Sequence, residues 1–203
     1  MYFIKTPQTL KNIFPAIVWD MPINGKTIYL TFDDGPTPNI TDWVLDLLHQ
    51  YGIKATFFCI GENVINHPEI YYRIKLDGHK VGNHSFTHKN GWKTDNFSYY
   101  KDILKCSEVV DSDLYRPPYG RITKRQIKTL NQKRFKIVMW DVLSGDFDVK
   151  LSEKQCLQNV LSHTKPGSIV VFHDSVKAEN RLKYSLPKFI EHYLDKGYRF
   201  EVL

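Results

Sequence analysis

Two adjacent carboxylates, Asp33 and Asp34, end the run Thr27-Ile28-Tyr29-Leu30-Thr31-Phe32 and are followed at once by Gly35-Pro36. The run has the β-branched and aromatic residues of a strand, and neither glycine nor proline readily continues one, so both acids are presented where the chain turns. Neighbouring carboxylates repel unless one meets a cation and the other a proton or a basic partner. That points to a metal, with a plain polar turn as the alternative reading of the tetrapeptide. His84 and His88 stand four apart, a spacing that stacks two imidazoles on one side of a helical turn, within reach of one ion. His-x-x-x-His alone is common by chance. Joined to Asp34, the pair makes a three-ligand set that leaves a position for water and substrate, whereas a structural zinc would want a fourth ligand.

Arg116, Asp146 and His173 also fall at strand ends. Taken singly, Arg116 reads as a cation bonded to carbonyls and His173 as a packed or surface histidine. Together with Asp33, those plain readings are hard to sustain. Trp92, just after the second histidine, is either a sugar-stacking platform or a buried anchor, and Tyr119 and Phe147 are candidates to line the same groove. His49, His67, His79, His163 and His192 lack the spacing and context of ligands.

The elements that must position these groups alternate. Thr37-Pro38 reads as the N-cap and first turn of a helix carrying Ile40, Val44, Leu47, Leu48 and Tyr51 at helical spacing, with Gly52 as its stop. Residues 54–60 predict a strand, 68–77 a helix, and 80–83 a strand that delivers the histidines. A helix over 97–110 and strands over 114–116 and 136–140 follow, with a basic helix between those strands. Ser152-x-x-Gln155 is a capping box for the next helix. Then come a strand at 168–172, a helix at 186–196 and a closing strand at 198–203. Strand and helix in alternation argue for a parallel sheet with helices outside it. Polar residues at the end of strand after strand favour a barrel, where many strand ends reach one mouth, over an open sheet with one switch point.

A chain of 203 residues with 42% hydrophobic residues can bury one full core. The formal charge of +6 is a weak hint of a polyanion or an anionic membrane surface. Residues 121–136 hold seven basic residues and no acid, ordinarily the solvated face of an outer helix. The sharper reading is an anionic partner, either a polymer or a membrane surface. No nucleic-acid motif accompanies the charge. Cys59, Cys106 and Cys156 read as reduced thiols. Pro15 interrupts the apolar run 13–19, so no signal peptide and no transmembrane segment is expected. Read as given, the chain is cytoplasmic, or extracellular or periplasmic if a leader was removed.

Thr31-Phe32-Asp33-Asp34-Gly35-Pro36, His84-Ser85-Phe86-Thr87-His88, Arg116-Pro117-Pro118-Tyr119-Gly120, Asp146-Phe147 and Phe172-His173 resemble the five ordered motifs of the polysaccharide deacetylase family, also called NodB-homology or carbohydrate esterase family 4. The resemblance spans nearly the whole chain. It implies a single-domain distorted (β/α)7 barrel over 25–203, with residues 1–24 as an N-terminal extension packed on it. It further implies one divalent metal, most commonly zinc with cobalt, nickel or iron as alternatives, bound by Asp34, His84 and His88. Asp33 would be the catalytic base, Arg116 would pair with Asp33, Tyr119 would offer its backbone N–H to the oxyanion, and His173 would be the general acid tuned by Asp146. Trp92, Phe147 and Phe172 would line the substrate groove.

Two motifs depart from the pattern. Leu143 stands at the first acid and Phe147 at the tryptophan of the fourth motif, and Phe172 stands where leucine is common, a bulk expected to narrow the acyl pocket. The implied activity is removal of an N-acetyl group from N-acetylated aminosugars in a glycan such as peptidoglycan or chitin oligosaccharide. Alternatives are a deacylase or deformylase of a lipid-linked or soluble aminosugar precursor, an O-acetyl xylan-type esterase, or a silent carbohydrate-binding domain. The expected partner is carbohydrate and not nucleic acid, with peripheral membrane contact as the only membrane role, and the chain is expected to be a monomer.

Overall fold

Strand β1 (Thr27–Asp33) pairs in parallel with three other strands, and its side chains sort by the two-residue period of a pleated strand. Ile28, Leu30 and Phe32 enter the larger hydrophobic core, while Tyr29 packs on a smaller inner cluster of Phe58, Leu114, Val138 and Ile169. Thr31 and Asp33 point the same way as Tyr29 and meet Arg116 there. The strand thus separates a helix-covered face from a barrel interior.

The structure, a computed structural model, describes residues 2–203. Around β1 the chain runs α1 (Gln8–Ile13) before it, then α2 (Ile40–Gln50), β2 (Thr56–Cys59), α3 (Gly61–Asn66), α4 (Pro68–Leu76), β3 (Lys80–Asn83) and α5 (Asn96–Ser107). It continues through β4 (Leu114–Tyr115), α6 (Lys124–Gln132), β5 (Lys136–Ile137), β6 (Val142–Leu143), α7 (Glu153–His163), β7 (Ile169–His173), α8 (Glu179–Asp195) and β8 (Arg199–Phe200). Seven strands form one parallel sheet in the order β5-β4-β3-β2-β1-β7-β6, and β8 pairs with the start of β1. The sheet curls into the distorted barrel that the sequence predicts, with helices outside.

No ladder joins β5 to β6, and the N-terminal segment occupies that seam. Val18 donates its N–H to Ile137 O at 2.9 Å and accepts from Met139 N at 2.8 Å on one edge. Thr6 N reaches Asp141 O at 2.9 Å and Ile4 O accepts from Leu143 N at 2.8 Å on the other. The strand expected over 136–140 is shorter, Lys136–Ile137: Val138 N still donates to Tyr115 O of β4 at 2.8 Å, but the next N–H, of Met139, goes to Val18 instead. The seam is pinned electrostatically by Asp141, whose carboxylate accepts from Lys5 and Lys11 at 2.5 Å each and from Ser168 at 2.6 Å. Lys11 also bonds Asp20.

Other elements differ from expectation in their ends. The first long helix starts at Ile40, not at Thr37-Pro38, because Asp42 accepts the Asn39 N–H at 3.2 Å and closes the first turn there. The helix expected from 186 begins at Glu179 and runs through Pro187, held by the buried stripe Leu182, Leu186, Phe189, Ile190 and Tyr193. Along the basic stretch, Lys124, Arg125, Lys128, Lys133 and Arg134 are solvent-exposed on or beside α6, and Lys136 pairs with Asp113 at 2.8 Å. The three cysteines are buried free thiols. No helix among the described residues is long and apolar enough to cross a membrane.

Removing Asp141 leaves Lys11 buried without its main counter-charge, a loss that typically costs 3–5 kcal/mol. Asp141→Ala should therefore lower unfolding free energy in urea by about that amount. A loss within 0.5 kcal/mol of zero, roughly the level of a surface substitution, would show that the seam does not depend on this cluster.

Candidate active site

Asp33 and Asp34 leave the end of β1 in different directions because the backbone reverses between them. Asp34 adopts φ 84, and the next residue cannot be anything but glycine: a Cβ on Gly35 would lie 2.0 Å from Asp174 Oδ2. Asp174 accepts the Gly35 N–H at 3.1 Å and the Thr41 hydroxyl at 2.6 Å, tying the turn to α2. Asn63, from α3, donates to the Asp34 carbonyl at 2.8 Å.

Asp33 faces into the barrel, where Arg116 Nη1 meets its Oδ1 at 2.6 Å. The guanidinium is fully buried and otherwise occupied by Thr31 Oγ1, Val138 O and Met139 O, with its plane 4.0 Å over the Phe58 ring. Asp34 faces the two histidines. His88 Nε2 is 3.2 Å and His84 Nε2 is 3.6 Å from Asp34 Oδ1. Burial opposes the charge on Asp34, yet the two imidazoles hold its carboxyl well below the usual carboxylate range.

The histidines do not share a helical turn, contrary to the reading of their spacing. They sit at the two ends of an irregular loop after β3, bent by left-handed residues at Ser85 (φ 62) and His88 (φ 56). Asp102, buried on α5, carries that loop by accepting the N–H groups of Phe86 and Thr87 at 2.9 and 3.0 Å and the Thr87 hydroxyl at 2.7 Å. The start of α3 holds it from the other side, with Gly61 N and Glu62 N each 3.0 Å from the Ser85 and Phe86 carbonyls. The i, i+4 spacing brings the rings together through this loop, their centroids 5.1 Å apart.

β7 stands beside β1 in a register that pairs Asp33 with His173. Strand alternation turns His173 inward and Phe172 outward. Phe172 is therefore buried in the helix-side core against Phe32 and Phe189 and does not reach the groove, which corrects its assignment as a pocket lining. Asp146 accepts from His173 Nδ1 at 2.7 Å and from its backbone N–H at 2.8 Å. Burial works against a charged His173, but Asp146 outweighs it, with Asp34 and Asp33 adding to the effect, so its pKa is raised to about 9. Arg181 holds the Asp146 carbonyl at 2.6 Å.

These groups meet in one cavity of about 830 Å³, whose floor holds Asp33, Asp34, His84, His88 and His173. Tyr119, Trp92, Leu143 and Phe147 form its walls, while Arg116 and Asp146 lie behind the floor. Trp92 is 61% exposed, which rules out the buried-anchor reading. Its Nε1 bonds Ile122 O at 3.1 Å and the Arg121 guanidinium lies 4.1 Å over its ring. Phe147 meets His173 edge-on at 5.0 Å and is met in turn by Tyr2 at 5.0 Å. Tyr2, Asp102, Asn63, Asp174 and Arg181 carry no local mark of the site: nothing in the sequence ties a helix carboxylate to a loop 15 residues before it, or an N-terminal tyrosine to Phe147 far along the chain.

The donor set of Asp34, His84 and His88 fits a metal ion. One ligand atom from each lies within 4.8 Å of the others, a carboxylate held ionised faces two imidazole Nε2 atoms, and each outer Nδ1 is engaged elsewhere, at 2.8 Å by Arg116 O and 3.1 Å by Tyr119 Oη. Among the described residues no fourth such ligand joins the set.

Comparison with known proteins gives the family. A family model described as polysaccharide deacetylase matches residues 20–138. The peptidoglycan-N-acetylglucosamine deacetylase of Bacillus cereus is 35% identical over 195 residues, which cover 93% of this chain and 70% of the relative. The chitooligosaccharide deacetylase of Bradyrhizobium sp. is 35% identical over 156 residues, 73% of this chain and 71% of the relative. Among solved structures, the Bc1960 peptidoglycan N-acetylglucosamine deacetylase in complex with 4-naphthalen-1-yl-N-oxidanyl-benzamide has a TM-score of 0.89 at 34% identity, over 98% of this chain and 95% of that one. By its motifs, its barrel and these relatives, the chain belongs to the polysaccharide deacetylase family.

Proposed function

We propose that this protein is a hydrolase that removes N-acetyl groups from N-acetylglucosamine residues of a glycan, with zinc as its metal. The observation that carries the reading is the pairing of Asp33 and His173 in register on adjacent strands, with the Asp34-His84-His88 set lining the same cavity. A divalent ion held by Asp34, His84 and His88 would supply Lewis-acid polarisation of the amide carbonyl.

The remaining chemistry belongs to side chains. Asp33 accepts the proton of the attacking water, and Arg116, unable to give up its own proton, keeps that carboxylate aimed. The oxygen of the tetrahedral intermediate receives a hydrogen bond from the Tyr119 backbone N–H, in a turn where Tyr119 adopts φ 60. His173, charged at neutral pH with a pKa raised to about 9, hands its Nε2 proton to the departing nitrogen while Asp146 holds Nδ1. Leu143 and Phe147 exclude water around the acyl group, and Trp92 offers an aromatic face to a neighbouring sugar ring. Groups of this kind serve turnover, which a silent carbohydrate-binding domain does not need.

Acetate release from N-acetylglucosamine oligomers tests the reading directly. Chelation should abolish release and zinc restore it. Asp33→Asn should lower turnover by about 10²–10⁴-fold, the range of a general base, with metal content kept. His84→Ala should lose both metal and turnover. Full turnover in the Asn variant would remove Asp33 from the role of base.

The His173 pair has its own signature. In the metal-free protein its imidazole resonances should titrate near 9, and Asp146→Asn, by removing the largest opposition to burial, should bring the value down. Because the folded value is raised, the pair's contribution to stability is complete below about 6.5 and fades as pH rises through about 9. A His173 that titrates identically in both proteins would contradict the pairing.

A further inference from the structure

His84 and His88 both turn Nε2 toward Asp34, but their outer nitrogens are held by partners of different kinds. His84 Nδ1 meets the Arg116 carbonyl at 2.8 Å. A carbonyl only accepts, so His84 carries its proton on Nδ1 and keeps its Nε2 lone pair free for an ion. His88 Nδ1 meets the Tyr119 hydroxyl at 3.1 Å, with the two rings 4.5 Å apart. A hydroxyl both donates and accepts, so this bond survives in either tautomer of His88. It can donate to Nδ1 while Nε2–H faces the Asp34 carboxylate, and it can accept from Nδ1–H while Nε2 offers its lone pair to a cation.

Both outer partners come from a single turn. Arg116 supplies its carbonyl, and Tyr119 stands in the Pro118–Gly120 turn three residues on, with φ 60. The hydroxyl is the only part of Tyr119 that distinguishes it from phenylalanine, and its ring already has an apolar role on the cavity wall. His88 is the more exposed of the two histidines, with its side chain 25% accessible against 3% for His84, so it has less surrounding protein to fix its ring.

We propose that the Tyr119 hydroxyl is a positioning group for the metal site. It fixes the ring orientation of His88 and, by changing from donor to acceptor, lets that histidine present a lone pair when a divalent cation binds. This role is separate from that of the Tyr119 backbone N–H, and it rests on the metal-site reading of Asp34, His84 and His88, not on the identity of the substrate.

Tyr119→Phe removes the hydroxyl and keeps the ring, the backbone and the turn. Because Tyr119 is 60% exposed, the variant should keep the wild-type melting temperature. Zinc affinity, measured by competition with a chromophoric chelator, should fall about tenfold, the lower end of what loss of an outer partner to a ligating histidine produces. In nitrogen–proton correlation spectra of the zinc-loaded protein, the His88 Nδ1 proton should exchange with water faster in the variant. The His84 Nδ1 proton, held by a carbonyl, should be unaffected and serves as the internal control.

Affinity within twofold of wild type overturns the proposal, as does a tenfold loss with His88 Nδ1 exchange unchanged. A wild type that binds no divalent ion overturns it as well. Neither readout uses turnover. A wild type that releases no acetate, combined with both expected effects, would defeat the hydrolase reading and leave this one standing.

Discussion

A guanidinium enclosed in the barrel interior is the constraint around which the site is arranged. Arg116 is removed from water, a state that costs several kcal/mol per ion unless its charge and its N–H groups are answered. They are answered by three separate segments: Asp33 and Thr31 on β1, Val138 and Met139 after β5, and the Phe58 ring on β2. Those bonds hold Asp33 in one orientation and tie β1 and β4 to the segment after β5 at the mouth of the barrel. The proposed base is thus built into the barrel itself, at the mouth where one edge of the open seam begins.

The pleat does the rest of the sorting. Along β1 and β7 the same alternation that sends Leu30, Phe32, Val170 and Phe172 to the helices sends Thr31, Asp33 and His173 inward. Parallel pairing then sets Asp33 beside His173 with no further device. What parallel strands cannot do is aim groups beyond their ends. That falls to short turns with left-handed residues at Asp34, Ser85, His88 and Tyr119, braced by bonds from Gly35 to Asp174, from Ser85 to Asn83 and between His88 and Tyr119.

Four carboxylates crowd this end of the barrel, and they divide the charge. Asp33 has Arg116, Asp146 has His173 and Asp34 has two imidazoles. Asp174 has only a hydroxyl and amide donors; burial pushes its carboxyl up to about 7, with Asp34 adding to the rise and the Thr41 hydrogen bond opposing it. The acid without a cation is the one whose charge burial disfavours. Asp34, held down by its two imidazoles, keeps its charge where a cation would need it.

The sequence by itself determined the chemistry: which residue types were available, and that Asp33, Asp34, His84, Arg116, Asp146 and His173 sit at or just beyond strand ends, because a strand's composition and its Gly-Pro or His-Asp stop are local signals. Local signals also carried the alternation of elements and hence the barrel. They could not carry the loop that joins His84 to His88, because its shape depends on Asp102 and α3, nor the outward turn of Phe172, because facing is settled by which neighbour a strand acquires. The seam between β5 and β6, filled by residues 4–18, was equally out of reach. Only the tertiary structure decided these, for a physical reason: an edge of unpaired backbone N–H and C=O groups takes whatever strand can satisfy it, and nothing in the local sequence of β5 or β6 names that strand.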